Sequence, residues 1–296
     1  MKYAVLGCLV SFFMLLNTLL GIGPLLFFAI LKLIIPVPAF RRRCALIILW
    51  IAETWAETNK RIFALCTKTQ WKVHGSANLG KDTSYLIVAN HQSWVDIPAL
   101  IQVLNRRVPY YKFFLKQELI WVPLLGLAWW GLDYPFMKRY SKEHIARYPH
   151  LAGKDMEITR RACEKFRGIP VSIINFAEGT RYTAAKHQAQ NSPYKHLLRP
   201  KAGGIAFVLE AMGDQIGALL DITIHYPEGV PTFWQLVSGQ ITEVSVHLRE
   251  YPITDAWVRG GYQTDPEYRA RFQQWVSDLW ANKDALLCEL DHTAQQ

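Results

Sequence analysis

The chain has 296 residues, 33 Lys and Arg against 24 Asp and Glu, a net charge of +9, and 51% hydrophobic residues that include 11 Trp. Such a length buries a core of one large domain or two ordinary ones, and the positive balance fits two anionic partners, a nucleic acid or a membrane. The cysteines Cys8, Cys44, Cys66, Cys163 and Cys288 are odd in number and widely spaced, which argues against a zinc site or a disulfide framework.

From Tyr3 to Leu31 there is no formal charge, in YAVLGCLVSFFMLLNTLLGIGPLLFFAIL, and about 20 apolar residues suffice for a helix to cross the hydrocarbon core. A cleaved signal peptide has an apolar region of roughly 7 to 15 residues and then a small-residue cleavage site. This run is longer and leads through Lys32 to Pro36 and Pro38, so a retained membrane segment is expected over residues 1–40. Gly21, Gly23 and Pro24 interrupt it, which leaves open one kinked span or a helical pair entering and leaving the same face. Arg41, Arg42 and Arg43 come next, placed on the cytoplasmic side by the positive-inside rule and suited to anionic headgroups. Leu46, Ile47, Trp50, Ile51, Trp55, Ile62 and Phe63 then recur at helical spacing around Glu53, Glu57 and Lys60, predicting an amphipathic helix within residues 41–70.

The globular part, residues 71–296, opens near Trp71. Tyr85 to Ala89, Val171 to Phe176, Leu219 to His225 and Val244 to Leu248 are short β-rich runs, the second preceded by a helical stretch, Lys154 to Arg167, closed by Gly168. Strands alternating with helices predict an α/β fold. Near the end Phe272, Trp275, Val276, Leu279, Trp280 and Leu287 form a stripe, read as a helix packed on the domain rather than one lying on a membrane.

The strand YLIVA runs into Asn90-His91-Gln92-Ser93-Trp94-Val95-Asp96, and strand ends are where α/β proteins place their chemistry. On one ideal helix His91 and Asp96 would point about 140° apart, so they can meet only across a turn. Ser93 to Asp96 resembles a capping box, which puts a helix start near Ser93, Asp96 in the first turn and His91 just outside. There the carboxylate can orient one imidazole nitrogen while the other acts as a general base. On spacing alone, a satisfied loop histidine beside an N-terminal helix acid is the better reading. A second strand runs into Phe176-Ala177-Glu178-Gly179-Thr180-Arg181, where Gly179 permits a tight turn and Arg181 offers a planar fork matched to phosphate. Lys138 and Arg139 close a hydrophobic run from Tyr134, and Lys116 has similar surroundings; each alone reads as a solvated charge.

Taken together, the block from Asn90 to Asp96, the block ending Phe136-Met137-Lys138-Arg139 and the block from Phe176 to Arg181 resemble, in order and spacing, the glycerolipid acyltransferase family of lysophosphatidic acid acyltransferases. The likeness spans roughly Trp71 to Pro227, and Glu178 to Thr183 with Lys186-His187 after it is similar to the branch with lysocardiolipin acyltransferase-like enzymes and a bacterial inner-membrane acyltransferase. It implies a mixed sheet flanked by helices, behind N-terminal membrane helices, facing the cytoplasm from a bacterial inner membrane. It also implies direct transfer without a metal, a cofactor or a covalent enzyme intermediate. His91, oriented by Asp96, would deprotonate the free hydroxyl of a lysophospholipid such as lysophosphatidic acid or lysophosphatidylglycerol. That oxygen would attack a thioester carried by coenzyme A or acyl carrier protein. By the same resemblance Lys116, Arg139 and Arg181 hold the acceptor's phosphate, Glu178, Gly179 and Thr180 shape the pocket around the glycerol, and Phe136 belongs to the substrate-binding set.

The family's fourth block commonly holds a Val-Pro pair, whereas this chain has Asp221-Ile222-Thr223-Ile224-His225-Tyr226-Pro227 with its proline later, which leaves the acceptor open. His187 and His225 read as structural. Two other functions compete. A thioesterase or other hydrolase of the usual kind would need a nucleophile, and no Gly-x-Ser-x-Gly elbow occurs. A non-catalytic basic module binding nucleic acid or acidic lipid fits the charge, but the basic residues are scattered and carry no nucleic-acid-binding signature, so no nucleic-acid partner is expected.

Overall fold

The computed structural model describes residues 1–75, 78–137, 147–148, 163–164, 166, 168–258 and 260–294. Two long helices come first, α1 (Lys2–Ile34) and α2 (Pro38–Cys66). α1 runs unbroken through Gly21, Gly23 and Pro24, so no pair forms inside the apolar run. The chain turns instead at Ile35 to Val37, and Pro38 opens α2, where its missing N–H is no loss. The helical pair is therefore α1 against α2, and Arg41 to Arg43 lie in the first turns of α2. A polar knot fixes their register: Asn17 Nδ2 donates to Trp55 O and Asn59 Oδ1, both at 3.0 Å, and Trp55 Nε1 donates to Thr18 Oγ1 at 3.1 Å.

Both ends of α1 touch the α/β domain. Gly7 leaves room for the Trp234 indole, which a Cβ there would meet at 2.7 Å, while Leu25 and Ala29 pack on Gly131 and Lys32 pairs with Asp133 at 2.7 Å. At 1.5 Å per residue, the 25 residues from Gly7 to Lys32 lay the helix along the domain for about 37 Å. Phe12, Leu16, Leu19 and Leu20 face outward from it. Among the described residues α1 is the one helix long and apolar enough to cross a membrane.

The domain is built on β1 (Gln70–His74), β2 (Ser84–Ala89), β3 (Tyr111–Phe113), β6 (Ser172–Phe176), β7 (Ile216–His225) and β8 (Glu243–Pro252), ordered β1-β8-β7-β2-β6-β3. Only the β7–β8 pairing is antiparallel, so the sheet is mixed. A two-stranded sheet pairs β4 (Leu115–Lys116) with β5 (Phe136–Met137). Among the described residues the helices of the domain are α3 (Asp96–Leu104), α4 (Leu125–Gly131), α5 (Ala184–Ala189), α6 (Ala202–Met212), α7 (Phe233–Val237) and α8 (Pro266–Ala294), beside a 3-10 helix at Gln117–Trp121 and a short helical turn at Asp255–Val258.

Alternation along each strand divides the core. Ile87, Ala89, Leu220, Ile222 and Ile224 pack toward Leu100, Val103 and Leu104 of α3. Leu86, Val88, Ile173 and Leu219 pack toward Ile205 and Leu209 of α6 and Phe272, Val276 and Trp280 of α8. A parallel strand covered on both faces reads as an unbroken apolar run, which is why YLIVA lacks polar alternation. The four sequence-read strands are all present; β7 and β8 extend beyond their runs. The C-terminal stripe is buried on the domain, and the stretch Lys154 to Arg167 lies for the most part outside the described residues. β2, β6 and β7 run parallel, so their C-terminal ends meet at one edge, where ligands of open α/β sheets bind.

Candidate active site

Asn90, directly after β2, has a side chain that imitates a strand. Its Nδ2 donates to Ile224 O at 2.9 Å and its Oδ1 accepts from Ile224 N at 2.8 Å, tying the ends of β2 and β7 together. The chain then turns, and α3 begins at Asp96, three residues later than the capping-box reading placed it. Half of that box is present in another form. Ser93 Oγ accepts from Val95 N at 3.0 Å, and the Asp96 carboxylate reaches back to the amides of Gln92 and Ser93 at 2.7 and 2.9 Å.

Asp96 and His91 are brought together, with Asp96 Oδ2 2.7 Å from His91 Nδ1. The carboxylate also accepts from the Tyr226 hydroxyl at 2.5 Å on Oδ1. Ringed by donors, it acts as an acceptor, so the proton between the pair sits on Nδ1 and leaves Nε2 with a lone pair. Among the described residues Nε2 has no hydrogen-bond partner. The Asp96 side chain is 1% exposed and that of His91 17%, so the carboxylate is sealed while the imidazole remains reachable. The ring stacks on Phe176 at 4.1 Å, and Phe176 stacks on Phe113 at 5.9 Å.

The turn after β6 is locked to this loop. Tyr182 N donates to His91 O at 2.7 Å, and Gly179, at φ +70°, occupies the left-handed region that favours glycine. Glu178 is fully buried, one oxygen accepting from His91 N and the other from Leu198 N, both at 3.0 Å. It shapes the site from beneath, by fixing the backbone that carries His91. Burial pushes its carboxyl up to about 7, with the two amide bonds and the Lys283 charge opposing the rise and Asp96 adding to it. The folded value exceeds the unfolded one of about 4.3. The stability Glu178 contributes is therefore full below the unfolded value and is lost as pH rises through about 7. His247 acts in the opposite sense: burial, then His74, His225 and Arg249, hold it down at about 4, so its contribution is lost as pH falls through that value. Comparing wild type with Glu178→Gln isolates the first effect. In urea unfolding from about pH 5 to about pH 8, the wild-type advantage should shrink by about 3 kcal/mol. A difference that does not change with pH would show that Glu178 does not titrate there.

Three cations border the turn. Arg181 is exposed and lies over Trp94, 4.6 Å from the ring centroid; Lys186 Nζ donates to Thr180 Oγ1 at 2.8 Å; and Lys201 Nζ would lie 3.1 Å from a Cβ on Gly179. Lys116 is exposed on β4, which begins two residues after Phe113 closes β3, and half-buried Phe136 is on β5, paired beside Leu115. Arg139 lies outside the described residues. Sequence reasoning left Asn90, Lys201 and Tyr226 without roles. The one signal for Tyr226 was the unusual strand end before Pro227. Among the described residues no group of three His, Cys, Asp or Glu side chains converges to hold a metal.

Known proteins resemble this chain in sequence and in fold. A family model described as Acyltransferase matches residues 70–227, over half of the chain. The chain is 26% identical over 259 residues to 1-acyl-sn-glycerol-3-phosphate acyltransferase 3 of Arabidopsis thaliana, covering 81% of this chain and 60% of that protein. It is 25% identical over 251 residues to lysocardiolipin acyltransferase 1 of Gallus gallus, covering 80% and 61%. The chain thus spans about 60% of the length of these curated relatives. The crystal structure of the 1-acyl-sn-glycerophosphate acyltransferase PlsC from Thermotoga maritima is similar in fold, with a TM-score of 0.54, 20% identity and coverage of 97% of this chain and 98% of that one.

Proposed function

The chain belongs to the glycerolipid acyltransferase family, and on that premise we propose that it moves a fatty acyl group from acyl-CoA or acyl carrier protein to the free hydroxyl of a lysophospholipid such as lysophosphatidic acid or lysophosphatidylglycerol. The observation that carries the reading is His91, held through Nδ1 by a buried carboxylate with Nε2 free at the end of β2.

In this mechanism the acceptor hydroxyl gives its proton to Nε2 as its oxygen bonds to the thioester carbonyl carbon, and Asp96 stabilises the imidazolium that forms. The tetrahedral centre then collapses, the carbon–sulfur bond breaks, and the thiolate takes the proton back from Nε2. Ester and free thiol result, and His91 returns to its starting form. Arg181, Lys186 and Lys201 border the turn and are suited to the acceptor's phosphate, which would align hydroxyl, base and thioester. Lys116, Phe136 and Arg139 join them as expected substrate contacts. Transfer of label from an acyl-CoA or an acylated carrier protein to a panel of lysophospholipids tests the activity. Release of free fatty acid without an acceptor would instead favour a hydrolase.

The same reading seats the protein on a membrane through α1 and α2. A helix crossing about 30 Å of hydrocarbon would carry the domain contacts at one end of α1 to the far side, so α1 rests on the face that bears the domain. In intact vesicles displaying the domain outward, Lys2→Cys and Arg42→Cys, each in a background without other cysteines, should both react with an impermeant thiol reagent. Protection of Lys2→Cys alone would mean that α1 spans.

A further inference from the structure

We infer that Tyr226 is a positioning residue of the transfer reaction, whose hydroxyl, donated to Asp96 Oδ1, holds the carboxylate in the orientation that aims His91. The inference rests on the His91–Asp96 reading above and adds the group that sets it. Donors are divided unequally over the carboxylate. Oδ2 accepts from His91 Nδ1 and from the amides of Gln92 and Ser93, whereas Tyr226 is the one donor to Oδ1 among the described residues. The carboxylate is sealed and the tyrosine is 5% exposed, so no bulk water stands ready to replace the phenol. A buried carboxylate oxygen without a donor is costly, and it relieves that cost by turning or by gripping its remaining proton donor more firmly.

The phenol's place comes from the sheet and not from a flexible loop. Tyr226 directly succeeds β7, whose residue Ile224 is bonded on both its N–H and C=O by Asn90. His225 is fixed on the opposite face by Asp291, 2.9 Å from its Nε2. Pro227 biases Tyr226 toward extended backbone. Burial, with the Asp96 charge and its hydrogen bond adding to it, raises the phenol well above its usual value, so it remains a donor throughout the working range of the enzyme. The titratable groups facing Asp96 among the described residues are His91 from the β2 loop, Glu178 from the β6 turn and Tyr226 itself. Tyr226, placed between β7 and Pro227, thus supplies a hydroxyl to a carboxylate oxygen that no other described residue serves.

Tyr226→Phe removes the donor and keeps the ring. Its kcat should fall about tenfold with KM for donor and acceptor within about twofold, as for a hydrogen bond to a charged group that matters in the transition state. The acidic limb of the pH–rate profile should move to higher pH, because Asp96, left with more charge toward His91, holds the imidazolium proton harder. A fluorotyrosine placed at residue 226, with a more acidic phenol and nearly the same shape, should move that limb to lower pH, and it decides the matter if the phenylalanine variant folds poorly. An unmoved limb in the fluorotyrosine enzyme, or unchanged kcat in folded Tyr226→Phe, with His91→Ala inactive, overturns the role of Tyr226 and leaves the dyad standing. Full activity in His91→Ala would remove the dyad itself.

Discussion

His91→Ala should lower kcat for acyl transfer about a thousandfold, within the range of 10²- to 10⁴-fold by which a positioned general base accelerates a reaction, and leave KM for both substrates within about twofold. The lysophospholipid hydroxyl is a poor nucleophile until its proton has somewhere to go. Nε2 is the reachable acceptor that a buried carboxylate backs at 2.7 Å. The loss should be chemical and not structural. The backbone bonds that anchor the loop, His91 N to Glu178 and Tyr182 N to His91 O, do not involve the ring. Truncation removes a partly exposed ring from its stack on Phe176, so unfolding should change little. Steady-state kinetics with labelled donor, together with a melting curve, separate the two effects. Undiminished turnover would eliminate His91 as the base.

Much of this site could be read from one dimension because its parts occupy strand ends. YLIVA and SIINF are recognisable as buried strands, and each leads directly into a loop that bears the chemistry. The meeting of His91 and Asp96 was legible only as a geometric condition, a turn before the helix, and the bonds from Asp96 to the Gln92 and Ser93 amides show how that condition is met. The partners across the sheet were not legible. Tyr226 reaches Asp96 only because β7 lies beside β2 in one register, and a single sequence does not reveal strand order. The resemblance alone gave Glu178 a place in the pocket; its burial, made possible by two backbone amides from distant segments, was not legible. The posture of α1 was undetermined for a simpler reason. An apolar run has the same composition whether it crosses a bilayer or lies along a domain, and contacts such as Gly7 under Trp234, Leu25 and Ala29 on Gly131 and Lys32 beside Asp133 belong to the folded chain alone.

The largest effect on stability is expected at Lys283. It is buried in α8 with its ammonium 2.5 Å from Asp221 Oδ1, and it donates to Ile222 O at 2.7 Å and Thr223 Oγ1 at 3.2 Å. Lys283→Met leaves Asp221 as an uncompensated charge inside the sheet and should cost about 3 to 5 kcal/mol. The pair is nonetheless a poor source of net stability. Burial lowers the ammonium below its ordinary value even though Asp221 and Glu178 pull it upward, so desolvation outweighs attraction. Replacing both partners, Lys283→Met with Asp221→Leu, should therefore recover most of the loss, and the coupling read from a double-mutant cycle in urea should be large and of opposite sign to the single effects. Because β7 also carries Ile224 and leads into Tyr226, the single variant should lose activity along with stability and the double variant should regain both. Additive losses in the double variant would mean that the two side chains act separately, and that β7 owes its position to its apolar neighbours alone.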